Sequence, residues 1–384
     1  MQLIETPWHI ISATIIFLIG IVVACLLARK FYVPTIVSLA IYMWHTLMCF
    51  IYIAYAFNNV ADANRYFNSN NLDIINISLG TKAIEIITSL LKIGLDLSYI
   101  GCFLVFNIIG FIGLLSLAGT LRSLTHYSSS LIKWFVKIII FLPSISFWSS
   151  AIGKDAFSFM AAGLSLWASL NVKQRKTTLI IAIAAMLLVR PHMAGIMVIA
   201  ISIAIIFDKK ASIQIKAFLA LSSLLTMAFL IPFALNYAGV GDNITVNSVD
   251  QYLSKKQGQN MAGGSSLDIS SMALPVKMFT YVFRPLPFEA HNITALLASI
   301  DNVLLLILFI LGIKHLRNNN IRQDPANRIF MWFYAVGSLT ILSLTTANLG
   351  IAMRQKWMFL PMLIYLFLSA MVFAKKPKHY KVNK

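Results

Sequence analysis

The sequence predicts an all-α, polytopic integral membrane protein, and three observations carry that reading. Of the 384 residues, 59% are hydrophobic and only 11% are charged, with a mean hydropathy of +0.80. A soluble domain carries about 45–50% apolar and about 25% charged residues. Apolar runs long enough for helices follow one another along the chain, which reads as a single membrane domain over 1–384. Lys and Arg fall between those runs. The formal charge of +18 therefore reflects the positive-inside rule rather than a nucleic-acid surface, which would need a basic stripe with interleaved aromatics.

A helix needs about 20 apolar residues to cross the hydrocarbon core, and fewer where the bilayer thins. The candidate spans are 8–28, 33–57, 98–120, 134–151, 155–171, 177–189, 192–207, 214–236, 293–313, 329–346 and 357–374, about 11 in all. Residues 177–207 form one apolar stretch broken by Arg190-Pro191-His192. Proline ends or kinks a helix, so the choice lies between one long tilted span and a hairpin of two short ones. Charge decides for the hairpin. It leaves Arg29, Lys30, Arg122, Lys173, Arg175, Lys209, Lys210, Lys314, Arg328 and the basic tail 375–384 on the cytoplasmic side, whereas a single span inverts everything after Asp208. The N-terminus then lies outside and the C-terminus inside. Met1 to Trp8 lacks Lys and Arg, unlike a signal peptide, so the first span is expected to be retained.

On the outer face the sequence places a first loop at 58–97, with an interfacial helical stretch from Thr81 to Leu95, and a short turn from Ser149 to Asp155. The Arg190-Pro191-His192 tip and a large loop at 237–292 follow. That loop holds a Gly/Ser-rich part, 258–266, and a compact segment from Tyr281 to Asn292. A last turn carries Asn348, Arg354 and Lys356. Cys25, Cys49 and Cys102 lie in apolar runs without metal or redox spacing, and no metal site is expected.

Five cations break the positive-inside pattern, each in a different outer segment: Arg65, Lys154, Arg190, Arg284 and Arg354. Guanidinium groups bind phosphate oxygens through fixed bidentate hydrogen bonds, so a convergent set suits a lipid-linked phosphate or pyrophosphate. Taken singly, each is equally a residue that snorkels to headgroups or pairs with a carboxylate. Asp62 and Glu289 are the candidate general bases, because a carboxylate at the interface can reach an acceptor hydroxyl; capping a helix or pairing with an arginine are the competing roles. Tyr66, Trp148, His192 and His291 are candidate substrate contacts, although Trp148 equally reads as an interfacial anchor and a lone His at a helix tip is commonly structural. Asp155 is a candidate contact that also suits a helix N-terminus. Three sequons begin at Asn76, Asn243 and Asn292. There is no P-loop, GxSxG elbow, HExxH or Rossmann glycine pattern, so a donor is expected to be lipid-borne rather than a nucleotide sugar.

The stretch Asp62 to Phe67, the run Leu142 to Ser150 leading to Gly153-Lys154-Asp155, the segments Phe283-Arg284-Pro285 and Phe288-Glu289-Ala290, and Asn348-Leu349-Gly350 to Arg354 together resemble bacterial polysaccharide-biosynthesis membrane proteins. These are the Wzy-like or EpsG-like repeat-unit polymerases and the lipid-dependent glycosyltransferases of the GT-C superfamily. The resemblance implies a GT-C-like fold in the bacterial cytoplasmic membrane. The implied activity joins undecaprenyl-linked saccharides at the outer face during O-antigen, capsule or exopolysaccharide synthesis. It implies a catalytic carboxylate in the first outer loop, where Asp62 matches, and functional outer arginines, where Arg190, Arg284 and Arg354 match. Partners would be the polyprenyl-linked donor, the glycan acceptor, membrane lipids and a chain-length regulator, with no nucleic acid. No cofactor is implied, a divalent cation being the one compatible addition. The alternatives are a single-sugar transferase using a polyprenyl-phosphate sugar, and a transporter or flippase for a lipid-linked saccharide.

Overall fold

The computed structural model describes residues 3–71, 78–208, 272–290, 293–316 and 327–374, with scattered positions in 212–228 and residues 267 and 269. Most of the expected span at 214–236, the 258–266 stretch, His291, the three sequon asparagines and the basic tail lie outside the described residues.

All regular structure among the described residues is helical. Two long helices open the chain, α1 (Pro7–Lys30) and α2 (Thr35–Asn58). Thr6 caps α1 and Pro7 occupies its first turn, where a missing N–H costs nothing. Two short helices follow in the first loop, α3 (Asp62–Asn68) and α4 (Thr81–Ser89), the latter continuing into a π-helical turn, Leu90–Gly94. The helical stretch expected from Thr81 is thus present. It buries Ala83, Ile84 and Ile86 against its neighbours while Leu90, Ile93 and Leu95 stay exposed.

Ser98 caps α5 (Tyr99–Thr125), the central helix. Within its most apolar 18 residues 72% are buried, against 22% for α1, so α5 is packed on all sides while α1 keeps a broad apolar face outward. The expected span at 134–151 is two helices, α6 (Ser130–Ile140) and α7 (Pro143–Ser149), because Pro143 disfavours helical backbone in the residue before it. Then come α8 (Lys154–Ser169), α9 (Lys176–Val189) and α10 (Pro191–Ile206). Arg190 leaves helical geometry at φ −146° and ψ 75°, and Pro191 starts α10, so the apolar stretch is broken where its Arg-Pro stands.

After Ala273 the chain forms α11 (Leu274–Phe283), a 3-10 turn at Pro287–Glu289, α12 (Ile293–Leu316) and α13 (Arg328–Thr345). What the sequence presents as a last turn is helical instead. Asn348 caps α14 (Leu349–Gln355) by accepting the Ile351 N–H at 3.2 Å, a 3-10 turn follows at Lys356–Met358, and α15 (Leu360–Ala374) ends the described chain. The α14 segment and α15 meet at a 64° bend.

Among the described residues six stretches are long and apolar enough to cross a membrane, namely α1, α2, α5, α12, α13 and the α6–α7 pair taken together, or seven if the bent α14–α15 pair counts as one span. The main core gathers residues of α5, α8, α12, α13 and α15, and a second cluster joins α2, α3, α4 and α5. The bundle has two chemically different ends. Phe31 after α1 touches Gly119 of α5 and packs against Trp167 of α8, Arg175 stacks on the same indole at 3.7 Å, and Asn327 donates to the Ser169 carbonyl. Arg29, Lys30, Arg122, Arg175 and Arg328 therefore share one end. The opposite end carries Asp62, Asp155, Arg190 and Arg354.

Candidate functional site

At that opposite end a cavity of about 410 Å³ brings together Arg65, Lys154, Arg190 and Arg354 with Asp62, Asp155 and Tyr66. Small-molecule sites are about 300–1,000 Å³, so the space fits a ligand. Each side chain is placed by a local feature. Asn64 ties α3 down by donating to the Ala56 carbonyl at 2.7 Å and accepting from the Tyr99 hydroxyl at 2.5 Å, which turns Asp62, Arg65 and Tyr66 toward the bundle. Lys154 and Asp155 occupy the first turn of α8, Arg190 sits at the break between α9 and α10, and Arg354 ends α14.

Asp155 is the hub. Its Oδ1 accepts from Arg190 Nη2 at 2.7 Å, and its Oδ2 lies 3.7 Å from Arg354 Nε. Arg354 Nη1 in turn donates to Asp62 Oδ2 at 2.7 Å. Arg65 reaches Glu85 at 3.4 Å and lies 5.7 Å from the Tyr66 ring. The side chain of Asp155 is 17% exposed, whereas that of Asp62 is 46% exposed. Asp155 is thus a brace held between two guanidinium groups, while Asp62 stays reachable.

Four cations against two carboxylates leave the lining with excess positive charge. The Nε groups of Arg190 and Arg354 are buried without a hydrogen-bond partner among the described residues, although buried donors are ordinarily satisfied. The net positive lining suits an anion with several oxygen acceptors. Lys154, just ahead of the apolar run that begins at 155, is pulled down to about 8 chiefly by burial and then by the neighbouring Arg190. Burial, followed by the Asp62 carboxylate, pushes the Tyr66 hydroxyl up to about 12. Tyr66 therefore remains a neutral donor near pH 7.

A second cavity of about 360 Å³ adjoins the first across the Asp62–Arg354 pair and shares Tyr52 with it. Tyr55 and Trp148 give it aromatic walls, and Tyr52 lies 5.9 Å from the Trp148 ring centroid. No family model, curated protein or solved structure matches the chain.

The structure therefore brings seven of the expected site residues to one cavity and sets Trp148 on its neighbour. It does not bring Arg284 or Glu289 there. Those two form a local pair at 2.7 Å, and Glu289 also accepts the Leu286 N–H at 2.8 Å. His192, in the first turn of α10, is absent from the lining of both cavities, and His291 lies outside the described residues. Among the described residues no three His, Cys, Asp or Glu side chains cluster as metal ligands would.

Two features escape sequence reasoning. Tyr52 reaches both cavities from within α2, where it is one more aromatic in an apolar run. The side chain of Lys356, in the 3-10 turn after α14, is not at the surface but only 1% exposed. The adjacent pair Asp301-Asn302 inside an apolar run was the available signal for its partners, since polar groups at membrane depth need one another.

Proposed function

We propose that this chain is a membrane glycosyltransferase of the polysaccharide-polymerase type that joins polyprenyl-linked saccharides. The observation that carries the reading is the single cavity in which cations from four separate segments surround a braced carboxylate and a reachable one. In this reading the short helices α8, α9 and α10 and the 214–236 stretch complete about eleven spans. The basic end faces the cytoplasm of a bacterial cell, and the cavity opens toward the outer leaflet.

The diphosphate of the donor is held by Arg190, Arg354, Lys154 and Arg65. An acceptor hydroxyl attacks the anomeric carbon, a new C–O bond forms, and the old bond to phosphate breaks with its electron pair leaving on the phosphate oxygen. The cations stabilise that charge as it develops, which is where preorganised electrostatics act most strongly. Asp62 takes the proton from the hydroxyl.

The test is to reconstitute the full chain with lipid-linked oligosaccharide. Arg354→Ala and Arg190→Ala are expected to lower polymer formation by at least tenfold at unchanged membrane expression, with Asp62→Asn stopping it while donor binding persists. Polymer of normal length from the arginine variants, or movement of lipid across the bilayer without bond formation, overturns the reading.

A further inference from the structure

Lys356 stands two residues after Arg354 and points the other way. Its Nζ is buried and donates to the Val282 carbonyl at 3.2 Å and to Asn302 Oδ1. Asn302 spends its amide N–H on the Pro285 carbonyl at 2.9 Å. Next to it on α12, Asp301 accepts the Ser144 N–H at 2.9 Å, at the start of the helix that carries Trp148. A second link runs the same way, with the Tyr281 hydroxyl donating to Gln355 Oε1 at 3.4 Å.

A buried ion is expensive, and an apolar side chain of similar volume usually packs there without that cost. Charged groups kept at such depth earn a functional reading when their partners are identified. Here the bonds tie the segment with Arg354, which lines both cavities, to the turn with Arg284 and Glu289, which lines neither.

We propose that Lys356, through Asn302, is a positioning residue that locks the Arg354 helix to the Arg284–Glu289 turn, so that the two move as one unit. Arg284, which lies outside the cavity lining, would thereby influence the site through this lock rather than by touching a ligand.

Hydrogen exchange on the purified full chain in nanodiscs tests the lock without any substrate. Lys356→Met is expected to raise amide exchange in both 349–358 and 284–290. Asn302→Asp keeps an acceptor for Lys356 and loses the donor to Pro285, so it is expected to loosen 284–290 alone. It also decides the matter if Lys356→Met fails to fold. Unchanged exchange in both segments of Lys356→Met, or in 284–290 of Asn302→Asp, overturns the proposal.

A second arm, which rests on the anion-binding reading of the cavity, measures inorganic pyrophosphate affinity. The folded Lys356→Met protein is expected to bind about tenfold more weakly. A merely stabilising contact would reduce the folded fraction and leave that affinity intact, and an unaltered affinity therefore counts against a positioning role. If the native chain binds no pyrophosphate, the cavity reading fails while the exchange result still decides whether the lock exists.

Discussion

At the level of single residues, the two carboxylates of the site divide into different tasks because of what surrounds them. Asp155 has its charge consumed by Arg190 and Arg354, whereas Asp62 shares only Arg354 and keeps nearly half its side-chain surface in the open. Lys154 adds a titratable element to an otherwise permanently charged set. With its pKa lowered to about 8 it is cationic below that pH and neutral above it. Pyrophosphate affinity is therefore expected to fall as pH rises from 7 to 9, by more than in Lys154→Arg, whose guanidinium stays charged throughout. Binding measured by calorimetry across that range checks this. Equal pH slopes in the two proteins would remove Lys154 from the anion site.

At the level of elements, the close contact between α5 and α8 depends on absent side chains. A Cβ built on Gly113 would lie 2.7 Å from Met160 Cα and 2.8 Å from the Phe159 carbonyl oxygen, both backbone atoms that cannot swing aside. Small residues permit such approach between apolar helices, where lipid offers no hydrophobic drive to associate. Gly113→Ala is expected to cost about 1–3 kcal/mol through overpacking, read as a lower unfolding midpoint in detergent. Gly94→Ala, which meets open space, should leave the midpoint unchanged. Most helices were legible in advance because apolar runs and prolines are local signals, as the break at Arg190-Pro191 illustrates. The helix α14 was missed because seven residues carry too little periodicity to stand out, even with an Asn cap. For the site, unexpected outer cations identified Arg65, Lys154, Arg190 and Arg354. The same signal also selected Arg284, whose charge is met five residues later by Glu289. Which arginine has a local partner and which faces a cavity is tertiary information that charge position does not contain.

For the whole molecule, sidedness governs function. The basic end and the cavity end are distinct in the fold, and assigning them to opposite sides of a membrane yields a direct experiment. Val60 is fully exposed beside the cavity, and Tyr127 is almost fully exposed beyond α5. With Cys25 replaced by Ser, Val60→Cys is expected to react with a membrane-impermeant maleimide in intact cells, and Tyr127→Cys only after permeabilisation. The reverse pattern would place the cavity in the cytoplasm and exclude a donor held in the outer leaflet.

The ion pair between Asp62 and Arg354 joins positions 292 residues apart. During synthesis the first partner emerges early and waits while helix after helix is inserted, its carboxylate answered by nothing from the far end of the chain. Only when α14 arrives does the cluster gain the guanidinium that both Asp62 and Asp155 share. A nascent or prematurely terminated chain thus holds an incomplete charge set, and under the proposed anion-binding reading the site is completed in one late step rather than accumulating with length.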